Sequence, residues 1–291
     1  MKKYLCGRKA LEYWGLYAVC EKLSLPEVEE YVVFSERDFN RSPEIHWCQI
    51  TAAERYTENG VCTLPYLFLR YANELSFLQL IFLGLNICGC RIGQDPLCTV
   101  RKLKYCAQSL KEHQGRRNAL QAIRHIQERS NSIMESKLYM HLCLPNHLGG
   151  CAFPKAVFNK PIEVGSKRFY LDLYFPEARL GVEYDSYEYH SNARSFSVDN
   201  IRASKIHTAG YRIVHVKPGQ LNDIEAYQDL ILNLSRLLQK PVYIRTDKFF
   251  EPFKELYYFF EPPAYSPVRF SDVPQFAGVS QAYERYLKTR R

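Results

Sequence analysis

The chain has 291 residues, 46% of them hydrophobic and 24% charged, and a formal net charge of +8. That composition excludes wholesale disorder, and the length allows one large domain or two ordinary ones. The basic excess permits a polyanionic partner without requiring one. The longest apolar run, Leu75 to Cys88, contains Gln79 and Asn86 and is too short for a bilayer, so a buried helix is expected and no membrane association.

Near the N-terminus, Arg8, Lys9 and Glu12 break what would be the apolar stretch of an export signal, so a reducing cytosol is the expected compartment. The ten cysteines, all between Cys6 and Cys151, include no C-x-x-C pair. They are expected as reduced thiols rather than zinc ligands or disulfides.

In chain order, residues 1–100 are expected to form a mostly helical α+β domain. Val32, Val33 and Phe34 suggest a strand, and Thr63-Leu64-Pro65 opens a helical stretch from about 66 to 82. Leu67, Tyr71, Leu75 and Leu78 share its apolar face, and Gly84, Gly89 and Gly93 end it. Residues 101–129 then read as a basic helical linker, with eight Lys and Arg against only Glu112 and Glu128. Thr99 is placed to cap a first helix and Gly115 to separate two. The stretch either tracks phosphates, with Arg116, Arg117 and Arg124 as candidate contacts, or is a solvated helix.

Residues 130–240 read as a second, α/β domain. Ser132 with Glu135 three residues on is a capping-box pattern opening a helix to about Cys143. Strands are expected at Phe158–Val164, Phe169–Phe175, Leu180–Tyr184 and Tyr211–Val216. Helices are expected at about Val198–Ala209 and Asp223–Leu238. Residues 241–291, with six prolines and thirteen aromatics, are expected to drape over a domain surface and are a candidate contact for a protein partner.

The chemistry centres on the hairpin 169–185. Alternation places Phe169, Leu171, Leu173 and Phe175 on one face, with Leu180, Val182 and Tyr184 beside them. Asp172, Glu183 and Asp185 are left together on the other. If Phe175 faces Leu180, Asp172 stands opposite Glu183. Like charges so placed destabilise a sheet. A divalent cation, a proton on one carboxylate, or an arginine reaching across would each relieve it. His141, His147, His207 and His215 lack partners at ligand spacing and are read as structural.

Together, Glu135 on a helix, Asp172, Phe175-Pro-Glu-Ala-Arg-Leu180, Glu183-x-Asp185 and His190, followed by Asp199, Arg202 and Gly210, resemble the nuclease core of the PD-(D/E)XK superfamily. The order and spacing are most similar to bacterial domains related to the very-short-patch-repair (Vsr) endonuclease. The likeness covers about residues 130–240, and Thr63–Gly89 also resembles part of abortive-infection antitoxin-type proteins. The resemblance implies an α/β fold with a restriction-endonuclease-like mixed sheet flanked by helices. It implies Mg²⁺-dependent (or Mn²⁺-dependent) phosphodiester hydrolysis, with DNA as the expected substrate. Asp172 and Glu183 would ligate the ion, with the Tyr184 carbonyl as a further ligand and Glu135 holding or orienting a bound water. His190 would act as general acid or base, and Arg202 and Lys205 would hold a phosphate. In two places the chain departs from the pattern. Asp185 stands where the superfamily usually has lysine, leaving Lys205 or Lys137 as substitutes, and Ser186 stands where the related domains commonly have glycine. A catalytically degenerate DNA-binding or partner-binding protein of toxin–antitoxin type is therefore the alternative expectation.

Overall fold

The computed structural model describes residues 2–39, 42–50, 52–90, 94–165, 167–185, 204–242 and 247–260. The chain is a mixed α/β protein with one five-stranded and one four-stranded sheet, and it divides into units 1–133 and 134–291.

In the first unit the strands are β1 (Tyr4–Cys6), β2 (Glu30–Val33), β3 (Ile45–Trp47), β4 (Thr57–Glu58) and β5 (Val61–Cys62), ordered β3-β2-β1-β5-β4. Helices α1 (Gly7–Tyr13), α2 (Tyr17–Lys22), α3 (Leu64–Tyr71), α4 (Phe77–Ile87), α5 (Val100–Ser109) and α6 (Arg116–Ala122) complete it. The single helix expected at 66–82 is instead two. Ser76 starts α4 with a capping box, its Oγ accepting from Gln79 N while Gln79 Oε1 accepts from Ser76 N. Gly84 does not end that helix but lies within it, where a Cβ would come within 2.1 Å of Ile126 and 2.9 Å of Phe68. Its role is close packing.

The stretch 101–129 differs from the expected linker. It folds into the first unit as α5 and α6, with Leu103, Cys106, Ala119 and Ile123 buried. Thr99 caps α5 as expected, its Oγ1 accepting from Lys102 N at 3.2 Å. Arg101, Lys102, Lys104, Arg117 and Arg124 are exposed, because apolar positions recur every three to four residues and turn the other side of each helix inward.

The second unit holds α7 (Ile133–Cys143), β6 (Val157–Val164), β7 (Lys167–Phe175), β8 (Leu180–Tyr184), a helical turn α8 (204–208), β9 (Arg212–Val216), α9 (Pro218–Asn222), α10 (Ile224–Leu238) and α11 (Asp247–Phe260). The sheet order is β6-β7-β8-β9, antiparallel except for the parallel pair β8–β9. The proposed start of a helix at Val198 and the aromatic segment after 260 lie outside the described residues. Residues 247–260 of that segment are helical, and Phe253, Tyr257 and Phe260 are buried.

The C-terminus of α7 is closed by the chain that follows it. Cys151, Ala152 and Phe153 donate their backbone N–H groups to the carbonyls of His141, Leu144 and Leu142 at 2.9–3.0 Å. Gly150 makes that return path fit, since a Cβ there would lie 2.2 Å from the Leu144 carbonyl oxygen, which is backbone and cannot swing aside. Gly150→Ala is expected to cost about 3 kcal/mol, lowering the Tm by roughly 5–10 °C in a thermal melt.

Candidate metal and hydrolytic site

The hairpin forms with the expected register. Phe175 pairs with Leu180, Tyr174 with Gly181 and Leu173 with Val182. Continued by one residue, this register sets Asp172 opposite Glu183. The regular ladder stops at that level, where Tyr184 N donates to Asp172 Oδ2 at 2.8 Å. A carboxylate thus takes a backbone N–H of the neighbouring strand, which holds Asp172 close to β8.

Strict alternation does not survive along β7. Leu171 packs with Tyr174, Ile162 and Ile206, with Phe169 against the same cluster, and its methyls lie 3.0 Å from where a Gly181 Cβ would be. Leu173, by contrast, pairs with Phe158, whose ring meets Tyr139 of α7 at 5.0 Å. The strand therefore changes faces between Leu171 and Tyr174. At the same level of the paired strand, Asn159 has a left-handed backbone (φ 46°) inside β6. Asp172 sits at this switch, so the expected shared face for Phe169, Leu171, Leu173 and Phe175 is corrected.

A polar row follows across the sheet. The pairs Phe158–Leu173 and Lys160–Leu171 bracket Asn159 opposite Asp172, and Glu183 pairs with His215 of β9. Asn159 Nδ2 donates to Glu135 Oε2 at 2.7 Å, which ties the first turn of α7 to the row. Glu135, Asn159 and Glu183 are buried, while Asp172 is half-buried. Charges this far from water are held only where polar partners or a counter-charge meet them.

Asp185 and His215 form a second feature. His215 Nδ1 lies 3.1 Å from Asp185 Oδ1, and Asp185 N donates to Val216 O at 2.9 Å. His215, read from the chain as structural, thus has a carboxylate neighbour in Asp185. No local signal announced it, because β8 and β9 are joined across nearly thirty residues and meet only through parallel pairing. His215 also lines an open cavity of about 500 Å³ with Ser204, His207, Thr208, Tyr211 and Ile213.

The remaining candidates divide clearly. Lys205 is exposed on α8, and its side chain enters no hydrogen bond or ion pair among the described residues. Lys137 is buried and its Nζ donates to Asn222 Oδ1 at 3.1 Å, on another side of α7 from Glu135. Arg117 and Arg124 are exposed, whereas Arg116 is half-buried with an unpartnered Nε. His190 and Arg202 lie outside the described residues. All ten cysteines are free thiols.

Among the described residues no three His, Cys, Asp or Glu side chains are grouped to hold a metal ion. What the donor set does suit is a hard cation held by two carboxylates with water and phosphate completing its shell, since Asp172 and Glu183 offer only oxygen. No described helix is long and apolar enough to cross a membrane. No family profile, no curated protein and no solved structure matches this chain.

Proposed function

We propose that residues 130–240 form a restriction-endonuclease-like domain that hydrolyses phosphodiester bonds of DNA in the cytosol, as part of a defence, repair or mobile-element system. The observation that carries this reading is the β7–β8 register, which continued by one residue sets Asp172 and Glu183 at opposing positions where the ladder ends. Asp172 and Glu183 would hold Mg²⁺ or Mn²⁺, which when bound activates water and offsets charge on the phosphoryl oxygens.

The protein groups around them have separate tasks. The Tyr184 N–H keeps the Asp172 carboxylate turned toward β8. Asn159 anchors Glu135 beside the row, so Glu135 orients groups there. Asp185 holds the His215 ring through Nδ1, which leaves Nε2 to exchange a proton with substrate in the adjoining cavity. This gives Asp185 a positioning role in place of the usual lysine. His190 and Arg202 keep their proposed roles as proton carrier and phosphate contact, with Arg117 and Arg124 as further DNA contacts.

One feature favours the alternative of a degenerate DNA-binding or partner-binding protein, namely that Asp185 stands where the superfamily usually has lysine and lies against His215. Plasmid nicking separates the two. Incubation with Mg²⁺ or Mn²⁺ should give nicked product that disappears with Asp172→Ala. Nicking that persists in both Asp172→Ala and Glu183→Ala would rule out this site. His215→Ala should retain DNA binding while slowing cleavage at least about 10-fold, the scale of losing a general acid or base.

A further inference from the structure

The first unit carries a pocket that the hydrolytic reading does not use. A cavity of about 420 Å³ opens between α1, α3, α5 and the β4 region, within the size range of small-ligand sites. Its walls are aromatic and aliphatic: Trp14, Tyr56, Tyr105 and Leu97 face it together with Leu64 and Pro65. Trp14 is held in place, its Nε1–H donating to Cys62 O at 2.8 Å and its ring meeting Tyr13 edge-on at 5.2 Å. Leu97 and Tyr105 are each 61% exposed, a large apolar area to leave in water at a pocket mouth.

The rim is cationic. Arg55, Arg101 and Lys102 line the cavity against a single acid among the described residues, Glu58. All three side chains are exposed and none is engaged in an ion pair among the described residues. Arg101 and Tyr105 lie four residues apart on α5 and so share a face. A ligand that satisfies both wall and rim has a flat apolar ring and an attached anion.

We propose that this pocket binds a nucleoside phosphate, with the base against Trp14 and Tyr105 and the phosphate on Arg101, Lys102 and Arg55. Stacking on an aromatic side chain accepts any base, because every base has a π-face. The guanidinium groups add hydrogen bonds to phosphate oxygens in a fixed fork. The source is either a free nucleotide or one nucleotide of a single strand. The proposal does not depend on hydrolysis in the second unit.

The test uses the full chain without divalent cation. The protein has two tryptophans, so Trp47→Phe leaves Trp14 as the sole indole reporter. Adenosine 5′-monophosphate and a short oligothymidine are titrated separately, with fluorescence quenching in this variant and calorimetry on the unsubstituted chain. Saturable binding of either probe is expected, weakened at least 10-fold by Tyr105→Ala and by the double substitution Arg101→Ala with Lys102→Ala. Binding by the mononucleotide identifies a free nucleotide as sufficient, and binding by the oligonucleotide alone identifies a strand. Adenosine without phosphate should bind at least 10-fold more weakly than the monophosphate. Asp172→Ala should change nothing in this assay. No saturable binding of either probe by calorimetry, or binding insensitive to the pocket substitutions, overturns the proposal.

Discussion

Glu183→Gln is expected to reduce divalent-cation-dependent cleavage by at least about 100-fold, the scale of losing a principal electrostatic contact to a transition state. The amide keeps the volume and shape of the side chain at a buried position beside Val182 and Tyr184. What it removes is the charge. The companion substitution at Asp172 separates two roles that the structure combines there. Asp172→Asn retains an oxygen able to accept from Tyr184 N, whereas Asp172→Ala leaves that N–H without its 2.8 Å partner. The alanine variant should therefore lose both cleavage and about 1 kcal/mol of stability, the low end of the cost of leaving a donor unmet because this one is only part-buried. The asparagine variant should lose cleavage with much less effect on the melt. Cleavage at the wild-type rate in Asp172→Asn would make the residue structural and end its assignment to the ion. A second readout needs no turnover. Mn²⁺ at 100 times its Kd should stabilise the wild type by about 2.7 kcal/mol, and Glu183→Gln should abolish that increment.

Acidification is expected to destabilise the second unit through His141. This ring is fully buried, and neither nitrogen has a hydrogen-bond partner. It lies against Tyr227 of α10 at 5.5 Å and against Phe253 and Phe260 of α11 at 6.4 and 5.7 Å. The charged group facing it among these elements is Lys137, four residues back on α7. Burial first, and then the Lys137 charge, lower the His141 pKa from 6.5 to about 3. The folded value lies below the unfolded one, so protons favour the unfolded chain. Stability is whole above about pH 6.5 and falls as the pH drops from there toward 3. The loss accumulated by the lower end is on the order of 4 kcal/mol. Chemical denaturation at a series of pH values reads this directly. His141→Leu should remove most of the slope between pH 6 and 4, because leucine has no proton to take up. A slope unchanged by that substitution would assign the acid sensitivity to other groups.

Much of the fold follows from local rules. The bounds of β8 and the C-terminal end of α7 are where alternation, spacing and turn residues put them, and Asp223 caps α10, its Oδ1 accepting from Ala226 N at 2.8 Å. These features depend on residues within a few positions of one another, which is why they are legible in the chain. Two helical expectations fell short for the same kind of reason. The Ser76-to-Gln79 capping box lies hidden inside an apolar run, and Gly84 reads as a stop signal although its small size serves a close approach between segments.

By itself, the sequence determined the hairpin register, and with it the opposition of Asp172 and Glu183, because a short turn leaves two adjoining strands few ways to pair. Only the tertiary structure decided the rest of the polar row. Asn159 reaches Glu135 from a left-handed position in a separate strand, and His215 meets Asp185 through a parallel pairing far along the chain. Side-chain alternation describes a regular strand, and β7 changes faces where Asp172 lies. The residue types were readable from the chain; which of them stand together depended on contacts between distant segments.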